Sequence, residues 1–155
     1  MCAILDANVT AEVFGRAKTP AGQKFREWLD SGRSFLVMGG KLADELTHDG
    51  RFRAWSQTAI QYGRLQMVDR AKTDQRAAEL HNSNACISDD EHVIALAQLS
   101  GARLLFSNES NLHTDFKSKN LIDGPRGKVF STKDSKEFTL GQRRLLADKA
   151  LCGKP

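Results

Sequence analysis

Four acidic residues stand where predicted strands end or predicted helices begin. Asp6 follows a short apolar run at residues 3–5, and Glu109 follows another at residues 103–106. Glu45 lies in a helix predicted just after a second strand, and Asp90 opens the helix that precedes the 103–106 strand. Ligands of parallel α/β sheets bind at the carboxyl ends of the strands. We therefore predict that these four carboxylates meet at one rim of the fold.

Carboxylates gathered in one place indicate a cation, because like charges in close proximity are unfavourable until a counter-charge neutralises them. Oxygen ligands suit Mg²⁺ or Mn²⁺, which often bridge to substrate phosphates. Two such ions, roughly 3.5–4 Å apart, would support hydrolysis of a phosphodiester bond. That chemistry needs no Ser, Cys or His nucleophile, so the sequence predicts a metal-dependent hydrolase with Asp6, Glu45, Asp90 and Glu109 as catalytic residues.

Short apolar runs alternate with amphipathic segments along the whole chain. Strands are predicted at residues 3–5, 35–38, 65–68 and 103–106, with a possible edge strand at 128–131. Helices are predicted at 9–15, 20–30, 41–46, 51–62, 69–81, about 91–100, 111–117 and 140–151. This alternation is typical of a three-layer α/β/α sandwich with a central, mostly parallel sheet. With no interior linker or repeat, residues 1–155 are predicted to form a single domain that frays beyond Cys152.

Composition excludes several classes of protein. The chain has 155 residues, of which 40% are apolar and 27% charged, as in ordinary globular proteins. It has no apolar run near the ~20 residues that span a bilayer, and its start does not resemble a secretory signal. Its three cysteines (Cys2, Cys86 and Cys152) lack metal-ligand spacing, so we expect free thiols in a reducing, cytoplasmic compartment.

The positive charge is concentrated near the carboxyl end. The net charge is +4, and residues 117–155 contain ten Lys and Arg against four Asp and Glu. Such a segment suits a polyanionic partner, although a solvated charged face is an equally good reading of the charge alone. If the partner is RNA, we expect its phosphates to be contacted from this segment, with Lys117, Arg126, Arg143 and Arg144 as substrate-binding candidates.

Three stretches together resemble the motifs of a known nuclease family. Residues 4–9 read Ile-Leu-Asp-Ala-Asn-Val, residues 42–46 read Leu-Ala-Asp-Glu-Leu, and residues 88–97 read Ser-Asp-Asp-Glu-His-Val-Ile-Ala-Leu-Ala. Gly101 and the run Leu-Leu-Phe-Ser at 104–107 complete the last block. This order is similar to that of PIN domains, over roughly residues 1–131. The resemblance implies a PIN-like fold and metal-dependent endoribonuclease activity.

Carried over residue by residue, the resemblance implies metal-site roles for Asp6, Glu45 and Asp90. Ser107 matches a small hydroxyl residue that positions a ligand or water, and Asn8 matches a polar residue that orients the first Asp. The fourth motif departs from the family pattern: Glu109 stands where Asp is expected, and Asn111 where a second Asp often appears. Either Asp115 completes the metal ligands Asp6, Asp90 and Glu109, or a second Mg²⁺ or Mn²⁺ is weakly held.

The small single-domain format resembles the toxin subunits of bacterial toxin–antitoxin pairs. That resemblance implies an RNA substrate, a homodimer and inhibition by an antitoxin protein. A stand-alone RNA-processing nuclease would use the same chemistry without the partner.

Two other readings remain open. Residues 6–10 resemble the nucleophile motif of haloacid-dehalogenase-like phosphohydrolases, but Asn8 replaces their general acid and Asp90 precedes a helix instead of following a strand. A PIN-like fold that has lost its metal site and binds RNA or protein is the other alternative, favoured by Glu109 and Asn111. His92 is expected to be a structural histidine rather than a phosphate contact.

Overall fold

A computed structural model describes residues 1–153; the predicted fraying beyond Cys152 falls largely on residues 154–155, which lie outside the described residues. The described chain forms five strands: β1 (Cys2–Leu5), β2 (Phe35–Gly39), β3 (Leu65–Val68), β4 (Leu104–Phe106) and β5 (Lys128–Phe130). Its α-helices are α1 (Thr10–Val13), α2 (Pro20–Asp30), α3 (Gly40–Thr47), α4 (Gly50–Gln61), α5 (Arg70–Asn82), α6 (Glu91–Ser100), α7 (Ser110–Phe116) and α8 (Leu140–Ala147). Short 3₁₀ helices follow β1 and α8.

The five strands form one parallel sheet in the order β3-β2-β1-β4-β5. The chain builds outward from β1 to β3 on one side and then crosses to β4 and β5 on the other. The strand order therefore reverses between β1 and β4, where Leu5 pairs with Phe106. Such a reversal leaves a crevice at the carboxyl ends of the two strands, which is where α/β proteins bind ligands.

Helices contact one another in two groups, with α3, α5 and α6 in one and α1, α2 and α8 in the other. The predicted three-layer α/β/α sandwich with a parallel sheet is confirmed. Local signals begin several of these helices where the sequence predicts. Pro20 occupies the first turn of α2 behind the cap of Thr19, and Asp49 and Asp69 cap α4 and α5.

The core lies on both faces of the sheet. Strand β1 is buried over its whole length because it is central, and most of α6 is buried beside it. Phe25, Phe106 and Phe130 form an aromatic cluster between α2 and the β4–β5 side, with ring centroids 4.7–5.5 Å apart. A central strand covered on both faces cannot shift its register without exposing its apolar side chains, so the position of the carboxyl end of β1 is well determined.

Three details differ from the sequence prediction. Ile60, which the apolar spacing of the predicted helix at 51–62 would turn inward with Phe52 and Ala59, is 54% exposed near the end of α4. The terminal helix stops at Ala147, since Asp148 is extended and caps a 3₁₀ turn. Asn8 precedes the predicted helix at 9–15 and is its expected N-cap, but it lies within the 3₁₀ turn after β1.

The expectation of free thiols was wrong for two of the three cysteines. Cys2 and Cys152 form a disulfide, with Cα atoms 5.2 Å apart across 150 residues of sequence. Tertiary contacts create the pairing: the terminal segment returns beside α6 and β4, where Ala102 bridges Cys152 and Gly153 donates to the Gly101 carbonyl. Within residues 1–153, Cys86 is left as a thiol. The argument from free thiols to a reducing compartment therefore fails.

None of the helices between residues 1 and 153 has the length and apolar character needed to cross a membrane.

Candidate active site

Two glycines create the turn that brings Glu45 to the carboxyl edge of the sheet. Gly39 ends β2 and Gly40 begins α3 at φ +52°, in the left-handed region that glycine adopts without strain. A Cβ atom at Gly39 would lie 2.8 Å from the Val68 carbonyl oxygen. This tight strand-to-helix turn starts α3 at the edge, so Glu45 is about one turn along the helix from it.

Asp6 leaves the end of β1 and is held by the neighbouring strand. Its backbone nitrogen donates to the Phe106 carbonyl at 2.9 Å, and the Ser107 hydroxyl donates to its Oδ2 at 2.7 Å. Asp6 is 7% exposed, and Ser107 is fully buried. Burial raises the pKa of Asp6, the Ser107 hydrogen bond opposes that rise, and the negative charge of Glu45 adds to it. A buried carboxylate is thus fixed in place and lies within the field of a second one.

Asp90 stands at the start of α6 with its carboxylate free of the usual capping role. Within the described chain its side chain makes no capping hydrogen bond to α6. Burial raises the pKa of Asp90 to about 6, and the negative charges of Asp6, Glu109 and Glu45 contribute to the rise. Carboxylates from three other parts of the sequence therefore act on the charge of Asp90.

Glu45 faces a buried histidine. The Nε2 atom of His92 lies 2.7 Å from Oε1 of Glu45, and His92 is 6% exposed. The two atoms are close but poorly aligned, so that both are buried without a hydrogen-bond partner among residues 1–153. Burial lowers the pKa of His92, which favours its neutral ring at neutral pH, while the negative charge of Glu45 opposes that change. The 2.7 Å approach of the ring nitrogen to the carboxylate oxygen nevertheless links the two side chains.

Glu109 is linked to Ser107 through its backbone nitrogen, and its side chain caps α7. Its nitrogen donates to Ser107 Oγ at 3.1 Å, so this hydroxyl binds Asp6 and Glu109 at once. Its Oε1 accepts from the Asn111 nitrogen at 3.2 Å and caps α7. The sequence position that departs from the family pattern thus also has a local structural role.

The carboxylates of the candidate site are chemically suited to bind a hard divalent ion, but they are not arranged as a complete coordination shell. Between residues 1 and 153, no three His, Cys, Asp or Glu side chains are positioned to hold a metal ion as they stand. Glu45 contacts His92, and Glu109 caps its helix. The raised pKa of Asp90 nevertheless reflects carboxylates of like charge acting on one another, and carboxylate oxygens are ligands that Mg²⁺ and Mn²⁺ prefer.

Asp115 does not share this environment. Its carboxylate is 3% exposed and accepts hydrogen bonds from the backbone nitrogens of Ile87 at 3.0 Å and Ser88 at 2.9 Å. Each oxygen thus accepts one backbone hydrogen bond, and Asp115 is not among the charges that raise the pKa of Asp90. Asn8 is exposed, and its Oδ1 lies 3.5 Å from the Asn108 nitrogen, at the limit of a hydrogen bond.

Asn108 is a structural residue of this site that the sequence does not single out. Its Nδ2 donates to Thr132 at 2.8 Å and to Glu12 at 3.2 Å, and its Oδ1 accepts from Ser131 at 2.9 Å. These bonds fix the loop between β4 and α7, where Ser107 precedes and Glu109 follows. The partners lie 23 to 96 residues away, so no local pattern announces them.

Lys41 is another residue of the site that the sequence motifs do not mark. It is exposed on the first turn of α3, and its positive charge acts on Asp90 and on His92. Lys41 and Glu45 stand four residues apart, which places them on one face of α3. That spacing is a signal available in the sequence, although it is common on exposed helices.

The predicted RNA-contacting residues are exposed but do not form a single patch. Helix α8, which carries Arg143 and Arg144, begins near the carboxyl end of β5, where Gln142 donates to the Ser131 carbonyl. Arg126 precedes β5 and lies at the opposite, amino edge of the parallel sheet. Lys117 follows the far end of α7 from Glu109. Arg143 also lies over the Phe138 ring, 5.5 Å from its centroid.

Comparison with known proteins gives little beyond the geometry. No protein-family profile matches the chain, and no curated protein matches it in sequence. One solved structure, VapBC2 from Rickettsia felis bound to a DNA fragment from their promoter, is similar at 16% identity with a TM-score of 0.49. The match covers 84% of this chain and 98% of that chain. A likeness at this level carries no inference about activity or partners.

Proposed function

We propose that this chain is a divalent-metal-dependent endoribonuclease. The observation that carries the proposal is the Ser107 hydroxyl, which donates to Asp6 Oδ2 at 2.7 Å and accepts from the Glu109 nitrogen at 3.1 Å where the strand order reverses. Burial and the charges of Asp6, Glu109 and Glu45 also raise the pKa of Asp90 to about 6. These side chains come from four separate segments of the chain, and the negative charges of Asp6, Glu109 and Glu45 act on Asp90. Structural ion pairing does not account for this arrangement, because the charges that meet have the same sign.

Asp6, Asp90 and Glu109 would hold Mg²⁺ or Mn²⁺, with Glu45 beside them. When bound, such an ion neutralises the carboxylates and activates water for attack on a phosphodiester. Ser107 keeps the Asp6 carboxylate oriented toward the site through its 2.7 Å hydrogen bond. His92 keeps Glu45 on the site side of α3 and, being neutral, adds no competing positive charge.

Lys41 would contact the substrate at the mouth of the site. It is exposed on the face of α3 that carries Glu45, and its positive charge already acts on Asp90. A phosphate group approaching four carboxylates is repelled until a cation offsets them, and an ammonium group beside the cluster reduces that repulsion. Arg143 and Arg144 on α8 would contact the phosphates on the β5 side of the same edge.

The biological setting proposed here rests on the motif resemblance. We take the protein to be the toxin subunit of a toxin–antitoxin pair, acting on RNA in the cytoplasm as a homodimer. A partner that inhibits such an enzyme would bring positive charge to the acidic cluster, because that contact neutralises the same carboxylates as the ion does.

A second candidate function is an inactive RNA- or protein-binding module of the same fold. The observation that favours it is the lack, in residues 1–153, of three side chains already arranged to hold a metal. The capping role of Glu109 is consistent with that reading. The two candidates make opposite predictions about metal binding.

The deciding experiment measures Mn²⁺ binding by calorimetry and cleavage of a fluorescently labelled single-stranded RNA in the presence of Mg²⁺ or Mn²⁺. We expect the wild type to bind the ion and to cut the RNA, with both properties lost in Asp6→Asn while its circular dichroism spectrum is unchanged. Asp44→Asn is the matched control, because Asp44 neighbours Glu45 but is exposed and pairs with Arg70. RNA binding without metal binding in the wild type would establish the second candidate.

A further inference from the structure

Asp115 makes two hydrogen bonds to the segment between α5 and α6, at Ile87 and Ser88. Its Oδ1 accepts from the Ile87 nitrogen at 3.0 Å, and its Oδ2 accepts from the Ser88 nitrogen at 2.9 Å. Carboxylate acceptors of backbone N–H groups form strong, charge-assisted bonds. Asp115 is 3% exposed, and each of its carboxylate oxygens is bound to one of these two nitrogens.

The segment held in this way leads directly to Asp90. Residues 81–85 are exposed, Ile87 is 61% exposed, and Ser88 is the residue whose side chain is buried. Ser88 Oγ accepts from the Asp90 nitrogen at 3.3 Å. Asp90 makes no side-chain cap to α6 among the described residues, so its own side chain does not fix the start of the helix. The Asp90 carbonyl accepts from the Val93 nitrogen at 2.9 Å, and the Asp115–Ser88–Asp90 contacts add a second constraint from the preceding segment.

Helix α7, which carries Asp115, also positions Glu109. Glu109 caps the beginning of α7 and Asp115 lies near its end, six residues or about 9 Å further along the helix axis. Leu112 and Phe116 on this helix are fully buried, which fixes α7 against the core. One short, anchored helix is therefore linked to Asp90 through Asp115 and Ser88, and to Glu109 through its N-cap.

We propose that Asp115 is a positioning residue that sets the distance between Asp90 and Glu109, and that it is not a metal ligand. This inference rests on the proposed function for its effect on metal binding. The contact itself is independent of that function. The positioning role replaces the sequence-based alternative, in which Asp115 supplies the charge that Asn111 lacks.

The test compares wild type with Asp115→Asn, which keeps the size of the side chain but places an amide NH₂ group against a backbone N–H. We expect Mn²⁺ affinity and RNA cleavage to fall by about 10–100-fold, with the number of bound ions unchanged. In the metal-free protein, amide hydrogen exchange should become faster at Ile87 and Ser88. Leu146→Ala on α8 is the control: it destabilises a buried site and should leave exchange at Ile87 and Ser88 as in wild type.

Loss of one bound Mn²⁺ per chain in Asp115→Asn would overturn the inference, since that result identifies a ligand. Unchanged exchange at Ile87 and Ser88 would also overturn it. If Asp115→Asn does not fold, Ser88→Ala removes the last link to Asp90 and should still reduce Mn²⁺ affinity; an unchanged affinity would again contradict the proposal. A wild type that binds no Mn²⁺ refutes the proposed nuclease, whereas the exchange experiment still tests the Asp115 contact.

Discussion

The hydroxyl of Ser107 donates to the carboxylate of Asp6 at 2.7 Å across 101 residues of sequence, and both side chains are buried. The same oxygen accepts from the Glu109 nitrogen at 3.1 Å. Because β1 and β4 are neighbours in the sheet, this bond spans the point where the strand order reverses. A single hydroxyl thus connects the first and the fourth carboxylate of the candidate site.

Ser107→Ala should weaken the site more than the fold. The substitution leaves Asp6 and the Glu109 nitrogen without a buried partner, which costs about 1–3 kcal/mol of stability. We expect a further loss of about 10–100-fold in Mn²⁺ affinity, because the orientation of Asp6 is no longer fixed. Denaturant unfolding and metal titration measure the two effects. Ser118→Ala, at the end of α7, is the control and should change neither.

The raised pKa of Asp90 predicts a pH dependence of stability in the metal-free protein. Its ordinary value is 3.8 and its value in the folded protein is about 6, so the folded state binds more protons than the unfolded state between these values. The contribution of Asp90 to stability is therefore fully present below pH 3.8 and is lost as the pH rises through about 6.

Asp90→Asn removes this pH-dependent loss of stability, because an amide carries no charge at any of these pH values. In EDTA, we expect the variant to be more stable than wild type at pH 7.5, with the advantage shrinking as the pH falls toward 4. Urea unfolding at several pH values measures the difference. An advantage that stays constant with pH would show that the four carboxylates do not interact as described.

His92→Leu should make the protein's stability more dependent on metal. The change leaves Glu45 facing three other carboxylates without its neighbouring ring, and we expect a loss of about 1–3 kcal/mol in EDTA. Saturating Mn²⁺ should raise the melting temperature of the variant by more than that of wild type, because the ion gives Glu45 a partner in place of the lost ring nitrogen. His81→Leu, an exposed histidine beside Glu91, is the control. An equal Mn²⁺ effect in both proteins would argue against a role for His92 at the site.

The disulfide predicts a large, redox-dependent change in stability. Cys2 and Cys152 close a loop of 150 residues, and the chain-entropy argument gives up to about 5 kcal/mol for a loop of that size. Cys152→Ser should therefore lower the melting temperature in buffer without reductant and make it insensitive to dithiothreitol. Cys86→Ser leaves the bond intact and should retain the dithiothreitol effect. Three reactive thiols in denatured, unreduced protein would refute the pairing.

The basic residues of α8 predict the salt dependence of RNA binding. Neutralising Arg143 and Arg144 to Ala should weaken binding to all RNA sequences alike, and the slope of log affinity against log salt should fall by about one for each phosphate interaction removed. Arg126→Ala, at the opposite edge of the sheet, is the control and should change neither. A changed cleavage site with unchanged affinity would contradict a phosphate-contacting role. Fluorescence anisotropy at several salt concentrations makes the comparison.

Much of the fold was readable because its signals are local. The apolar runs that became β1, β2 and β3 and the capped start of α2 lie at or within one residue of their predicted places. The periodicity of apolar residues, the turn glycines and the capping side chains act over a few residues, so they are written in the order of the sequence. The placement of Asp6, Glu45 and Asp90 at strand and helix ends follows from the same signals.

Only the tertiary structure determined the contacts between residues that are far apart in sequence. The sequence marks Asp115 as a spare carboxylate, and only the folded chain shows it holding Ile87 and Ser88 from 27 to 28 residues away. The Cys2–Cys152 bond and the Glu45–His92 contact are of the same kind. Periodicity reports which side of an element faces inward, but it does not report which distant side chain lies there, because that depends on how all the elements pack together.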